Sequence, residues 1–191
     1  YFSDGVMEAI LNNLSRIREL KVISRTSVER YRDVAKPVPE IASELEVGNI
    51  LEGSVQKIGN NVRITVQLIS GDEDEHIWAN HYDRDISDLF KVQSEIAKTI
   101  AENLEIILTT EEREIIENAP TSNLKAYDLY LKAINHKRNS KKDYEQVIDM
   151  MSEVIAMDNE FALAYGKLGS YLYKLNQFGA SEHMWLDSAL V

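Results

Sequence analysis

Cysteine is absent from the 191 residues, which excludes disulfides, thiolate nucleophiles and Cys-ligated zinc. Its absence fixes no compartment. Basic residues are in deficit: 21 Lys and Arg stand against 32 Asp and Glu, a net charge of −11. Non-specific nucleic-acid binding needs the opposite surplus, to displace counterions from phosphates, and is argued against. No apolar run approaches the ~18 residues of a membrane span, and no signal peptide is visible. An initiator Met is also missing, for the chain opens "YFSDGVMEAI" and is already entering a helical pattern. It reads as a fragment or a processed chain, so missing targeting segments carry little weight. What is present is 44% hydrophobic, enough for one or two small domains with real cores.

Val6, Ile10, Leu14 and Ile17 recur at helical spacing, which predicts a helix capped by Ser3 or Asp4 and running to about Arg18. "LKVISR" (20–25) is a short strand candidate, and "TSVERYR" (26–32) reads as a turn of helix. Pro37 and Pro39 punctuate the next loop, with Pro39 suited to opening the helix "PEIASELEV". Residues 50–69, "ILEGSVQKIGNNVRITVQLI", alternate apolar and polar on both sides of a turn at Gly59-Asn60, the pattern of a β-hairpin. A two-residue loop pairs Ile58 with Asn61, Val55 with Ile64, Gly53 with Val66 and Leu51 with Leu68. One face is then apolar apart from Gly53, whereas a three-residue loop would scatter those residues over both faces. "SGDEDE" (70–75) is a polar turn, and "HIWANHYDRD" (76–85) is a third strand. A helix follows from Ile86 to about Leu108, capped by Asp85 or Ser87, then a short helix with a Thr109–Glu112 capping box, stopped by Pro120.

Beyond Pro120 no strand signal remains. Four amphipathic helices fit residues 123–137, 143–157, 161–174 and 178–190. Tyr144 and Phe178, each opening a second helix, stand 34 residues apart, the length of a tetratricopeptide repeat. In a repeat starting at Ala162, Tyr165, Leu168-Gly169, Phe178, Ser181, Trp185 and Ser188 match the aromatic, Leu-Gly and small positions of the pattern, with Gly169 and Ser181 placed where paired helices cross. A first repeat from Asp128 fits less well, with Asn135, Val147 and Met151 off-pattern and Asp158-Asn159 in place of Asp-Pro. The alternative is a generic helical bundle. The predicted class is α+β: a small mixed α/β domain with a three-stranded meander and a long helix over 1–119, then an all-α tetratricopeptide-repeat array of about two repeats over 120–191.

The strings "YFSDG", "LKVISRTSV", "LEGSVQKIGNNVRITVQLI", "HIWANHYDRD", "LFKVQSEIA" and "NLKAYDLYLK" occur in that order. Together they resemble the TolB amino-terminal-like (FlgO-like) domain followed by tetratricopeptide repeats, over nearly the whole chain. The resemblance implies a place in a bacterial multidomain regulator, behind an adenylate cyclase-type, winged-helix or kinase domain or a membrane helix. It also implies a first strand ahead of "YFSDG" that this chain does not contain, leaving an open sheet edge. The domain would be soluble, on the cytoplasmic or the periplasmic side, with any membrane attachment outside this chain.

No residue pattern supplies catalysis. A cyclase of that type needs two metal-binding carboxylates, and no such constellation is visible. Asp72, Glu73, Asp74 and Glu75 form a solvated turn without EF-hand spacing. His76 and His81 point to opposite faces of a strand, and His136 and His183 have no ligand partner in sequence. Arg25, Arg30, Arg32 and Lys36 are a candidate grip for an anion, against an ordinary mixed-charge surface. No cofactor or metal is expected. If the repeats stack, the groove is lined by Leu129, Lys132, His136, Asn139 and Ser140 and by Leu163, Gly166, Ser170, Tyr173 and Lys174. Lys132, His136, Asn139, Tyr173 and Lys174 are the candidate partner-binding residues for a protein or peptide. The open edge and uncapped array also favour self-association. The reading is a non-catalytic interaction module of a signalling protein; its rivals are a piece of an adenylate cyclase enzyme and an envelope ligand-binding domain.

Overall fold

The computed structural model describes residues 2–32 and 34–188, with side chains described through Phe178. They form a three-stranded antiparallel sheet and eight α-helices, in two compact units. One unit is Val6–Ala119; the other runs from Pro120 onward and takes in the chain up to Gly5.

Helix α1 (Phe2–Leu14) crosses from one unit into the other at Val6, and its stretch in the first unit buries Val6, Ile10 and Leu14. The helix stops short of the expected Arg18, and Ser3 and Asp4 lie inside its first turn. Ile17 is still buried, because a tighter turn, in which its N–H donates to the Leu14 carbonyl at 3.1 Å, carries it inward. The expected strand at 20–25 does not form: residues 20–24 have no ladder partner, and α2 (Arg25–Val28) and a 3-10 turn (Glu29–Tyr31) follow. A strand exists only where a neighbour takes its backbone hydrogen bonds, and apolar pattern alone does not supply one. α3 (Val38–Leu45) carries Pro39 in its first turn and ends at Glu46 in the left-handed conformation.

The sheet is a meander in the order β1 (Asn49–Ile58), β2 (Asn61–Ser70) and β3 (His76–Asp85). Its register is the one the alternation demands: Leu51 faces Leu68, Gly53 faces Val66, Val55 faces Ile64 and Ile58 faces Asn61. Gly59 sits at φ 61°, where a side chain is strained and glycine is not. On the inner face Val62, Ile64, Val66 and Leu68 are buried, joined by Val55 and Tyr82. Gly53 interrupts that face for a reason sequence does not show: a Cβ there would come within 2.7 Å of the Met7 side chain of α1. The outer face carries Gln56, Arg63, Thr65 and His81, all exposed. A register shift at Leu68/Ile69 leaves Ile77 without a partner, a β-bulge.

After a 3-10 turn (Ile86–Asp88) capped by Asp85, α4 (Leu89–Asn103) lays Leu89, Val92, Ile96, Ala97 and Ile100 into the core and packs on β3. It ends before the expected Leu108, where Glu105 turns left-handed at φ 58°. α5 (Thr110–Glu117) has the capping box between Thr109 and Glu112. The Glu112 carboxylate also accepts the Arg18 backbone N–H at 2.9 Å, tying α5 to the turn after α1.

In the second unit, α6 (Leu124–Ile134) and α7 (Lys141–Met157) form an antiparallel pair, and α7 packs on α8 (Ala162–Ser188). Asn123 caps α6 and donates to the Met157 carbonyl at 3.0 Å, while the Thr121 hydroxyl donates to Asp158. Asp158 thus has a structural partner that the missing Asp-Pro would not have predicted. The Tyr130 and Phe161 rings meet tilted at 47° with centres 4.9 Å apart, and the Tyr144 ring centre lies 5.5 Å from that of Phe178, the residue one period away.

The expected break between helices at 174–178 is absent, and α8 is one helix of 27 residues. Leu175-Asn176-Gln177 contains no proline and no glycine, so nothing local stops the helix. The repeat is therefore one helical pair followed by a single long helix. Gly169 is not at a helix crossing, since no atom lies within 4 Å of where its Cβ would be. The expected roles of Ser181, Trp185 and Ser188 lie outside the residues whose side chains are described.

Truncating Ile64, 2% exposed, to Ala is expected to cost about 2–5 kcal/mol, read as a lowered urea midpoint, while Thr65→Ala on the outer face shifts it little. Hydrogen bonds from Arg18 and Thr109 hold the Glu112 carboxyl below its ordinary value of 4.5. Its stabilisation is present above that value and lost as pH falls through the depressed one. Glu112→Gln is thus expected to flatten the acid limb of a plot of Tm against pH; an unchanged limb would show that Glu112 does not supply it.

Candidate functional site

The basic cluster is the first candidate to resolve. Arg25 and Arg32 each reach Glu29, at 3.4 and 3.2 Å. Lys36 bridges Glu40, at 3.1 Å, and Glu44. The Tyr31 hydroxyl donates to Glu44 at 2.7 Å and accepts from Arg30. Hydrogen bonds to Glu44 and then Glu40 raise the Lys36 amine above its ordinary pKa, and Lys36 followed by Tyr31 lowers Glu44. A cleft lies beside these groups, lined by Ile23, Thr26, Ser27, Arg30, Glu44, Leu45 and Glu46. With two carboxylates among its walls it does not present a positive field to an anion. The helix α3, which brings Glu40 and Glu44 one turn apart, is what converts the cluster into a mixed-charge surface.

Of the described side chains, neither the acidic turn nor His76, His81 or His136 belongs to a metal-holding group, and His183 lies outside them. Among the described residues no three His, Cys, Asp or Glu side chains are placed to hold a metal ion. The carboxylates near the sheet have structural partners. Asp83 pairs with Arg63 at 2.6 Å, which depresses its pKa, and Asp85 accepts the Ser87 N–H at 2.9 Å and the Asn60 amide. On the core side of α4 the only buried polar side chains are Gln93 and Ser94. The Ser94 hydroxyl lies 2.7 Å from the Ile116 carbonyl oxygen, and no buried side-chain nitrogen or oxygen among the described residues lacks a partner. A ligand pocket lined with free polar groups between sheet and helix is therefore not supported.

The five groove candidates are distributed over the helical unit. Lys132 is exposed on α6, and Tyr173 and Lys174 are exposed on α8, Tyr173 at 64%. Asn139 is exposed in the α6–α7 turn, where its backbone N–H donates to Asp143 at 2.9 Å. His136 is half-buried just after α6, while the Asp143 carboxyl is held below its ordinary value first by the hydrogen bond from the Ser140 hydroxyl and then by the Asn139 backbone N–H. No hydrogen bond or ion pair joins any two of the five. Beside them sequence reasoning named Leu163 as groove-lining and missed Tyr165 and Leu172. Leu163, Tyr165 and Leu172 are also exposed on α8, at 41%, 48% and 49%. The repeat pattern puts Tyr165 at one of its aromatic positions, and the structure leaves it half exposed.

Among the described residues no helix is long and apolar enough to cross a membrane. No family model matches the chain. It is similar to a curated protein named "Putative adenylate cyclase 3" from Rhizobium meliloti (strain 1021), with 38% identity over 133 residues, 70% of this chain and 23% of the relative. The chain thus spans less than a quarter of the length of the curated relative it matches.

Proposed function

We propose that this chain is a non-catalytic interaction and regulatory module of a larger bacterial signalling protein related to adenylate cyclases. Residues 1–119 act as its α/β part and 120–191 as its helical part. The module couples partner binding or oligomerisation to an effector domain carried elsewhere in the same polypeptide. The observation that supports this most is α8: a helix packed on one side, through Ala164 and Tyr171, that leaves Leu163, Tyr165, Leu172 and Tyr173 exposed around the rest of its circumference. Large apolar side chains exposed together on one helix are consistent with a contact surface. The partial match points the same way, since the relative's name belongs to a protein of which this segment covers 23%.

The rival reading, in which cyclisation of ATP occurs within this chain, is favoured by the relative's name alone. Incubating the isolated chain with ATP and Mg²⁺ or Mn²⁺ separates the two. No cyclic nucleotide above blank is expected, and its formation would overturn the proposal. Within the module, Lys132, His136, Asn139, Tyr173 and Lys174 are proposed to touch a protein or peptide partner. In the full-length parent, Lys132→Ala combined with Lys174→Ala is expected to change effector output severalfold without altering the helical circular dichroism. Unchanged output would remove the groove from the proposal.

A further inference from the structure

Residues 129–142 hold five of the 21 basic residues and none of the 32 acidic ones. The densest part is the turn between α6 and α7, which reads "NHKRNSKKD" over 135–143. Lys137, Lys141 and Lys142 are all exposed there. In the α/β unit, by contrast, Lys36, Arg63, Lys91 and Lys98 each pair with a carboxylate. Among the described residues no ion pair forms at Lys137, Lys141 or Lys142. Asp143, the first carboxylate after the run, instead accepts the backbone N–H groups of Asn139 and Ser140, each at 2.9 Å.

Two of these lysines stand where a helix disfavours them. Ser140 caps α7, so Lys141 and Lys142 are its first two residues. The helix dipole is positive at that end and favours Asp and Glu over Lys. The turn that carries them is also held at both ends. Arg138 donates to the Ile134 carbonyl at 2.7 Å and lies 5.4 Å from the centre of the Tyr171 ring on α8, and the capping box of Ser140 and Asp143 fixes the start of α7. A charged turn already fixed in this way loses little conformational freedom on binding.

We infer that the α6–α7 turn is a docking surface for a short acidic peptide segment of a partner protein, whose carboxylates meet Lys137, Lys141 and Lys142. The inference deepens the proposed interaction role, and rests on it, by giving the partner a chemistry. None of the three lysines is among the five groove candidates. Charge selects the occupant. The cations are concentrated locally in a chain of net −11. A membrane surface or a nucleic-acid duplex extends beyond the turn and would set its own negative charge against the acidic remainder. A short peptide reaches the lysines alone. Length agrees: Lys137 and Lys142 are five positions apart, which keeps their Cα atoms within about 18 Å, the span of roughly five extended peptide residues. A carboxylate bound there also meets the positive end of the α7 dipole, and so offsets what the two lysines cost that helix.

The test is fluorescence anisotropy of a labelled hexaglutamate peptide titrated with the chain at low salt, beside a hexaglutamine peptide. Saturable binding of the glutamate peptide alone is expected, weakening as salt rises. Lys137→Glu with Lys141→Glu should weaken it by roughly tenfold or more. Lys21→Glu with Arg113→Glu, an equal change of net charge at exposed positions of the α/β unit, should leave it intact. Thermal stability separates a binding role from a structural one. Lys141→Glu alone places an acid at the positive end of α7, so Tm should hold or rise while binding falls. Should the double reversal misfold, Lys137→Gln with Lys142→Gln reads the same loss. The inference is overturned if the glutamate peptide does not bind, or if its binding survives loss of the lysines. It is equally overturned if phosphatidylglycerol vesicles or a DNA duplex bind through these lysines more tightly than the peptide does. None of these results touches the ATP assay, which decides the reading beneath it.

Discussion

The parity of β2 is the constraint on which the α/β unit depends. Both neighbours pair along it, so its alternate residues decide which side of the sheet is apolar for all three strands. A slip of one residue would exchange Val62, Ile64, Val66 and Leu68 for Arg63, Thr65 and Gln67 on the core side. Every apolar contact with the helices above would go with it. The turn at Gly59-Asn60 fixes that parity from one end. At the other, the bulge at Leu68/Ile69 ends the regular pairing, and Ile69 itself is buried outside the inner-face series. The helices are placed by this surface. Met7 of α1 is accommodated over Gly53, and α4 packs against the strand that carries Tyr82, whose phenol burial pushes up in pKa.

Where the sheet relies on apolar area, the helix ends rely on short polar side chains. Thr109 and Glu112 cap α5, Ser140 and Asp143 cap α7, and Asn123 caps α6 while holding the end of α7. Each satisfies backbone donors that a helix terminus would otherwise leave open. Several carboxylates, among them Glu44, Asp83, Glu112 and Asp143, are already hydrogen-bonded to backbone or paired with a basic side chain.

The hairpin was legible because two physical signals coincide there: strict alternation, and a loop whose residues tolerate positive φ. The capping boxes were legible because a local spacing of three residues suffices to define them. The strand expected at 20–25 failed because alternation says nothing of whether a ladder partner is within reach. The break expected near 175 failed for a related reason. It was inferred from a period, a non-local regularity, while Leu175, Asn176 and Gln177 are individually content in a helix. The site was less legible than the fold. Lysines and a tyrosine on α6 and α8 could be placed on helix faces by spacing. Whether a face is covered depends on what packs against it, which spacing along one helix does not say, and Tyr165 and Leu172 are exposed. The neutralisation of Lys36 by Glu44 likewise needs α3 to bring distant carboxylates back toward the cluster.

The contact between Gly53 and Met7 has an evolutionary corollary. The two positions share one volume, so neither is free to change alone. Among homologues a larger residue at the first should be accompanied by a shorter one at the second. Glycine at the first should in turn tolerate long, flexible side chains opposite it. The gap in an otherwise apolar strand face is then a record of the helix above it, readable as a correlated pair of columns wherever the hairpin and α1 occur together.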